Sequence, residues 1–170
     1  MAVTYEISVL TESDRTAFEK LSAEYLPGSD LDVVRERSKK YGKAFLTAKV
    51  NGEVIGAAFG WERRIAVPED DSFCLDGIAV KEQFHRMGIG RKMLKIFESA
   101  AAEYGCDSVS VGSAGGYVER FYISCGYVPK EYKLCTDEGI VLVKTFRNIS
   151  DYESYERPVG DGFVVMEKMI

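Results

Sequence analysis

The sequence has few of the residues that most catalytic and metal sites require. Among its 170 residues there is one histidine, His85, and there are four cysteines, Cys74, Cys106, Cys125 and Cys135. The cysteines have none of the paired spacing of a zinc or redox motif, and no second histidine could join them. We therefore expect buried, reduced thiols and no metal.

Long apolar runs and an excess of positive charge are also missing. No run reaches the roughly 20 apolar residues that cross a bilayer, and the first residues lack the basic and apolar segments of a signal peptide. The net charge of −5 and the pI near 5.1 disfavour a general nucleic-acid binder. These absences predict a cytoplasmic protein without membrane or nucleic-acid partners.

Strand-like and helix-like patterns alternate along the chain. Strands are predicted at 5–10, 44–50, 53–61, 72–80, 107–112, 127–133, 140–146 and 163–169. Helices are predicted at 31–40, 90–104 and 116–124, after a first helix that begins in a capping-box-like start at Thr11 and ends before Pro27-Gly28. Asn51-Gly52 is a strong hairpin signal, and 147–161 is predicted as a polar connection. Neither an internal repeat nor a clear second domain is present, so one domain over residues 1–170 is expected.

The most informative segment runs from Val80 to Leu94. It has the pattern of a strand end, a loop with Gly88 and Gly90, and the first turn of an amphipathic helix. Glycine lets the backbone approach a ligand closely, and the free N–H groups of a helix's first turn attract anions. The segment therefore predicts an anion site that suits a pyrophosphate.

Two other phosphate-binding loops fit this segment less well. A dinucleotide-binding loop needs a third glycine and follows the first strand of its domain, whereas this loop lies in the middle of the chain. A Walker loop needs a G-x-x-x-x-G-K-[S/T] sequence, which does not occur. A Ser-His-Asp or Cys-His hydrolase is disfavoured as well, because its base would have to be His85, within the anion loop itself.

Two motifs together resemble one known family. The residues around the loop, Ile78-Ala79-Val80, His85-Arg86-Met87-Gly88-Ile89-Gly90 and Met93-Leu94, resemble the acyl-CoA signature of the GNAT superfamily of N-acyltransferases, with the core [Gln/Arg]-x-x-Gly-x-[Gly/Ala]. Downstream, the segment 119–127 resembles that family's late helix, with its Phe-Tyr-x-x-x-Gly-[Phe/Tyr] pattern. The resemblance implies an α+β fold with a central, mixed and mostly antiparallel sheet flanked by helices.

The resemblance implies acetyl-CoA as the co-substrate and assigns residues to it. Backbone groups of Ile78 and Val80 would pair with the pantetheine amides. The pyrophosphate would meet N–H groups of the loop and first helical turn, at His85, Arg86, Gly88, Ile89, Gly90 and Arg91. The side chains of Arg86 and Arg91 could add charge at the phosphates, but an ordinary solvated position on the surface is an equal alternative for each.

The sequence also departs from the family pattern. His85 stands where the family usually has Gln or Arg, and Gly116 and Glu119 stand where the late motif often has Asn and Ala. The side chain of that Asn usually helps to hold the pantetheine in this family, and glycine at 116 has no side chain to make the contact. The chain from about residue 132 is longer than a minimal member, with extra strands that could pair between subunits of a homodimer.

Two residues are candidates for proton transfer. Tyr122 matches the position whose phenol often protonates the leaving CoA thiolate in this family; packing of the helix is the alternative role. Asp76 interrupts an apolar strand, and a half-buried carboxylate there should titrate upward and could accept the proton of the amine. An ion-paired strand-end acid is an equal alternative for Asp76.

The sequence thus predicts an acetyl-CoA-dependent N-acetyltransferase acting on a small-molecule or peptide amine by direct attack in a ternary complex. A catalytically silent CoA-binding or regulatory domain and a nucleotide-binding α/β domain are the alternatives. Nothing in the sequence identifies the acceptor.

Overall fold

The computed structural model describes residues 2–113 and 115–170. Within them, the chain forms two compact units: the residues up to Asp107 with Ile170, and Ser108–Met169. Each unit contains four strands joined by antiparallel pairing, together with helices. The α+β class with a mostly antiparallel sheet and flanking helices, predicted from the sequence, is confirmed.

The first unit has its strands in the order β1, β2, β3, β4. Their bounds, with those of the helices, are β1 Glu6–Val9, α1 Arg15–Tyr25, α2 Leu31–Lys40, β2 Leu46–Val50, β3 Glu53–Glu62, β4 Phe73–Val80 and α3 Ile89–Glu103. Asn51 and Gly52 join β2 to β3 with positive φ angles of 51° and 82°. This is the hairpin that the sequence predicts, because both positions of a type I′ turn need positive φ.

Strand β3 is covered on both faces, which explains its nearly continuous apolar sequence. The ring of Phe59 packs against Phe18 of α1, with centroids 5.6 Å apart. A methyl group at Gly60 would instead point towards Phe97 of α3. Successive strand residues face opposite sides of a sheet, so α1 and α3 lie on opposite faces of β3.

The second unit has its strands in the order β5, β8, β6, β7. The bounds of its elements are β5 Ser108–Ser113, α4 Tyr117–Ser124, β6 Val128–Thr136, β7 Gly139–Thr145, α5 Ile149–Glu153 and β8 Gly162–Met169. Its core contains Val109 and Val111 of β5 and Val164 and Met166 of β8, all buried.

Three sequence predictions need correction. The hydroxyl of Thr11 does not cap a backbone N–H; it donates to the carboxylate of Asp14, and α1 begins only at Arg15 after a 3-10 turn. The polar connection 147–161 contains a helix, α5, whose first turn is capped by the side chain of Asn148. All four cysteines are free, as predicted, but of the four only Cys106 is buried: Cys74 and Cys125 are partly exposed and Cys135 is exposed.

Two further features concern the described residues as a whole. None of the helices in the part of the chain that the structure describes is long and apolar enough to cross a membrane. Across residues 2–113 and 115–170, no group of three or more His, Cys, Asp or Glu side chains is placed to hold a metal ion.

Gly60 tests the packing of α3 on β3. We expect Gly60→Ala to destabilise the protein by about 1–3 kcal/mol, because the added methyl group would overlap the carbonyl oxygen of Cys74 and lie 2.7 Å from Phe97 Cζ. Gly28→Ala is the control, since a Cβ there meets no atom within 4 Å. Urea unfolding of both variants measures the difference, and an equal, small effect would contradict this packing.

Candidate active site

A β-bulge places Asp76 in the first unit. Strands β3 and β4 pair Phe59 with Gly77 and Gly60 with Leu75, so the register skips Asp76. A bulged residue is left out of the ladder, and its side chain is re-aimed relative to its neighbours. The polar residue that interrupts an apolar strand is therefore the one that the sheet does not pair.

The environment of Asp76 shifts its titration. Surrounding atoms desolvate the carboxyl group, although part of its surface stays exposed, and this burial raises its pKa above the usual value. The hydroxyl of Ser29 donates to Oδ2 at 3.2 Å and opposes the rise. No ion pair of Asp76 with a lysine or arginine occurs among the described residues. The burial that underlies the upward pKa shift expected from the sequence is present, whereas the role of base stays a prediction.

The side chain of His85 forms a hydrogen bond across the loop that follows β4. Its Nε2 lies 2.7 Å from the carbonyl oxygen of Val80. Since a carbonyl only accepts, Nε2 must carry the proton in this hydrogen bond. The contact closes the chain from Val80 to His85 over a 3-10 turn, Glu82–Phe84. It also occupies one lone pair of the Val80 carbonyl, so a pantetheine amide would have to share that oxygen or use another group.

Two residues of the loop before α3 have left-handed backbone conformations. Arg86 has φ 62° and Gly88 has φ 77°, both in the left-handed region, and Gly88 is the N-cap of α3. Alternation of left-handed and right-handed residues makes successive N–H groups converge on one concavity that binds anions. A methyl group at Gly88 would meet no atom within 4 Å, so the backbone conformation, and not crowding, calls for glycine here.

The start of α3 adds to this concavity. No side chain caps the helix at Gly88, and the first N–H groups of a helix have no partner within it. Ile89 is buried and anchors the first turn, while Arg86 and Arg91 are exposed on the surface of the same segment. The positive end of the helix dipole therefore lies at a set of backbone donors, in a segment that also carries two arginines, a combination suited to a pyrophosphate.

Tyr122 lies in the second unit, on α4. It is 4% exposed, and its ring contacts Phe121 and Tyr127 with centroids 5.4 and 5.6 Å away. The helix ends at Ser124, Gly126 follows its C-cap with a φ of 95°, and the N–H of Tyr127 donates to the carbonyl of Tyr122 at 3.0 Å. A residue just after a helix often has a positive φ, which suits glycine. The end of this helix therefore explains why a glycine follows the Phe-Tyr pair at a fixed distance in the late motif.

The same helix carries a buried ion pair that the sequence analysis missed. Glu119 is 1% exposed, and both its oxygens accept hydrogen bonds from Arg157, one of them at 3.0 Å. The phenol of Tyr152 donates to Oε1 at 2.6 Å. Two causes raise the pKa of Tyr152 to about 12: its burial, which is the larger, and its hydrogen bond to Glu119. A cavity of about 410 Å³ beside this cluster is lined by Gly116, Tyr117, Glu119, Arg120, Tyr152 and Arg157.

The predicted site residues thus fall into two sets. The first unit holds Asp76 on β4 together with all eight predicted cofactor positions, which follow one another through β4, the loop and the start of α3. The second unit holds Tyr122. The strand, two-glycine loop and helix of the first unit form the arrangement from which the sequence predicts a pyrophosphate site.

Comparison with known proteins identifies the family. The sequence model of the Acetyltransferase (GNAT) family matches residues 8–127. This range includes β4, the loop, α3 and α4, and it is more than half of the chain. The chain belongs to the GNAT acetyltransferase family. A search of curated proteins by sequence found no match.

Solved structures confirm the GNAT-like fold. Ard1 from Thermoplasma volcanium is 17% identical with a TM-score of 0.69, and the alignment covers 99% of both chains. Naa50 from Arabidopsis thaliana, in complex with the bisubstrate analogue CoA-Ac-MVNAL, is 12% identical with a TM-score of 0.70 and covers 99% and 100%. YncA from Salmonella typhimurium, with acetyl-CoA, is 17% identical with a TM-score of 0.71 and covers 97% and 93%.

The titration of Asp76 can be measured directly. We expect its carboxyl pKa, followed by ¹³C NMR, to lie above the ordinary aspartate value, because burial disfavours the anion. Ser29→Ala should raise the pKa further by removing a donor to the anion. The pKa of Asp14, which Lys49 and Thr11 hold below its usual range, serves as the control that should not move. A pKa of Asp76 that stays at or below the ordinary value would contradict this account.

Proposed function

We propose that the chain is an acetyl-CoA-dependent N-acetyltransferase that moves the acetyl group to a primary amine. The observation that carries this proposal is the run of backbone donors from Arg86 to Arg91, with two left-handed residues and an uncapped helix start. In this family such a loop holds the pyrophosphate of acyl-CoA. The acetyl-CoA and CoA-peptide ligands of two solved relatives support the same donor here.

The reaction requires few catalytic groups, because the thioester is already activated. The amine nitrogen attacks the carbonyl carbon, a C–N bond forms, and the C–S bond to CoA breaks. The amine loses one proton and the CoA thiolate gains one. In our proposal Asp76 accepts the first, helped by its raised pKa, and Tyr122 donates the second. Holding both substrates in one ternary complex supplies most of the remaining rate enhancement.

The cofactor contacts follow the order of the chain. We propose that backbone groups of Ile78 and Val80 pair with the pantetheine, and that N–H groups of the loop and first turn of α3 bind the pyrophosphate. His85 then acts through Val80, whose carbonyl it engages, and so fixes the angle at which the chain leaves β4.

The acceptor is a small-molecule or peptide amine. The solved structures of Naa50 with the bisubstrate analogue CoA-Ac-MVNAL and of Naa20 with a bisubstrate analogue support peptides as the first class to test. The same proposal includes a cytoplasmic location and a homodimer. The four free thiols support the location, because disulfides are rare in the reducing environment of the cytosol.

Turnover and binding together test the activity. The purified protein is titrated with acetyl-CoA, ATP and NAD, and CoA release is then followed with peptides, polyamines, amino sugars and amino acids. We expect acetyl-CoA to bind best and at least one amine to be acetylated, with the product identified by mass spectrometry. Binding of acetyl-CoA without turnover on any amine would favour the silent CoA-binding domain, and preference for ATP or NAD would favour a nucleotide-binding domain.

Gly88 tests the anion loop. We expect Gly88→Ala to weaken acetyl-CoA binding about tenfold, since a Cβ at φ 77° costs about 1–2 kcal/mol and would displace the N–H groups of the loop. Gly52→Ala is a matched control, with a similar φ of 82° and equally open surroundings in the β2–β3 turn. Calorimetric titration should show weaker binding for the first variant alone. Equal affinities of the two variants would place the pyrophosphate elsewhere.

Tyr122 tests proton donation to the thiolate. We expect Tyr122→Phe to lower kcat by about 10-fold to 100-fold, at the lower end of what a general acid contributes, while KM for acetyl-CoA stays unchanged. Tyr127→Phe is the control, because it removes a phenol from a buried neighbouring ring. Steady-state kinetics with the best acceptor measures both. An unchanged kcat in Tyr122→Phe would assign this residue to packing.

A further inference from the structure

The cavity beside α4 is large enough for a small molecule. Its volume of about 410 Å³ falls within the usual range of ligand pockets, about 300–1,000 Å³. All its lining residues belong to the second unit. Its three charged residues, Glu119, Arg120 and Arg157, are not among those assigned above to acetyl-CoA or to proton transfer. The class of ligand that fits this cavity therefore depends on these three charges.

The acid of the cavity is already satisfied. Glu119 is 1% exposed, and its two oxygens together accept two hydrogen bonds from Arg157 and one from the phenol of Tyr152. The pKa of this phenol is raised to about 12, so Tyr152 stays protonated at neutral pH. A cationic ligand would have to compete with Arg157 for a carboxylate that is almost fully covered. Amines are therefore poor ligands for this cavity.

The arginines of the cavity retain unused hydrogen-bond donors. A guanidinium group carries five N–H donors, and Arg157 uses one on each Nη for Glu119. Its other three donors meet no acceptor among residues 2–113 and 115–170, and its side chain is 34% exposed. Arg120 is exposed and forms no hydrogen bond or ion pair with the residues that the structure describes. The excess of donors calls for a ligand that is rich in acceptors.

The guanidinium group of Arg157 is fixed before any ligand binds. Glu119 holds it through two hydrogen bonds, and the ring of Tyr132 lies 5.6 Å from its central carbon. A group that is already ordered loses little conformational freedom on binding, so more of its interaction energy appears as affinity. Guanidinium groups bind carboxylates and phosphates through charge-assisted hydrogen bonds. The cavity is therefore preorganised for an oxyanion.

The net charge of the lining distinguishes between these oxyanions. The charges of Glu119 and Arg157 cancel, so Arg120 leaves one net positive charge. A carboxylate carries a single negative charge, whereas a phosphate monoester carries about −1.5 to −2 at neutral pH. A monoanion would neutralise the cavity, but a dianion would leave excess negative charge beside the buried Glu119. The charges therefore favour a carboxylate.

A tyrosine at the rim indicates what else the ligand carries. Tyr117 lines the cavity but is itself 74% exposed. An aromatic ring in this position offers an apolar face on which another planar group can stack. A carboxylate attached to such a group would engage the arginines and the ring at once.

We propose that this cavity binds a small monocarboxylate with a planar apolar group, whose carboxylate contacts Arg120 and Arg157 and whose apolar group packs on Tyr117. Glu119 acts through Arg157, which it holds in place and neutralises. The site requires neither acetyl-CoA nor turnover, so this proposal stands or falls independently of the proposed acetyltransferase activity.

Phenylacetate is a probe of the proposed class. Titration of the ¹⁵N-labelled protein should give saturable shifts of the backbone amides of α4 and α5, with a dissociation constant in the millimolar range. Benzylamine, its cationic counterpart, and inorganic phosphate at matched ionic strength should bind more weakly. No saturable shift at these amides, or equal binding of benzylamine or of phosphate, would overturn the proposal.

A second titration separates this site from the cofactor site. Phenylacetate should bind with unchanged affinity when acetyl-CoA is saturating. Displacement of phenylacetate by acetyl-CoA would assign the cavity to the cofactor and overturn the proposal. A protein that binds phenylacetate but not acetyl-CoA would contradict the proposed function and leave this site supported.

Arg120 gives the sharpest variant, because an exposed residue without partners among the described ones can be replaced without loss of the fold. We expect Arg120→Gln to weaken phenylacetate binding about tenfold, as for the loss of a hydrogen bond between charged groups. Lys20→Gln is the matched control, since it removes the same charge from an exposed residue of α1 in the first unit. Equal affinities of Arg120→Gln and Lys20→Gln for phenylacetate would overturn the proposal.

Glu119 tests the charge of the cavity. Glu119→Gln keeps the shape of the side chain but removes the only negative charge of the lining, so phosphate should gain affinity relative to phenylacetate. Glu24→Gln is the control, because it removes the same charge from an exposed position on α1. Urea unfolding checks that both variants are folded. A ratio of the two affinities that is the same in Glu119→Gln as in the wild type would overturn the choice of a monoanion.

Discussion

The first turn of a helix cannot satisfy its own N–H groups, and this constraint organises the candidate site. At α3 no side chain caps these donors, and the preceding residues Arg86 and Gly88 have the positive φ angles that are typical of anion-binding concavities. Such a surface is stable only in water or against an anion. The buried face of α3 packs against the sheet and fixes the helix start in place, while His85 fixes the chain between β4 and the helix.

The second feature of the site is a defect in the sheet. Because β3 and β4 skip one residue, Asp76 leaves the ladder that would otherwise pair it. The bulge gives a carboxyl group an unusual combination: enough surrounding atoms to raise its pKa, together with a surface that stays partly exposed to solvent. A regular strand would have placed the same residue in the ladder, with its side chain aimed differently.

Much of this was predictable because it depends on local pattern. Period-two and helical spacing locate the strands and main helices, Asn51-Gly52 predicts its hairpin, and the two-glycine loop is followed by the helix that its pattern predicts. Binding of an anion at this loop stays a prediction. The bulge at Asp76 was not predictable, since it depends on the pairing of two strands. The hydrogen bond from His85 to the Val80 carbonyl and the pairing of Glu119 with Arg157, 38 residues away, are tertiary contacts without a local pattern. Helix α5 could have been found from Asn148, which precedes it as an N-cap.

The ion pair of Glu119 and Arg157 has a consequence for which single substitutions the second unit can tolerate. Glu119 lies within the range that the family model matches, whereas Arg157 lies outside it. A buried carboxylate without its cation costs several kcal/mol, so loss of Arg157 alone leaves an unpaired charge beneath α4. Loss of Glu119 alone leaves an arginine that is about one-third exposed and can be solvated. The two positions, 38 residues apart, are therefore unequal in what they tolerate: the cation depends less on the acid than the acid depends on the cation.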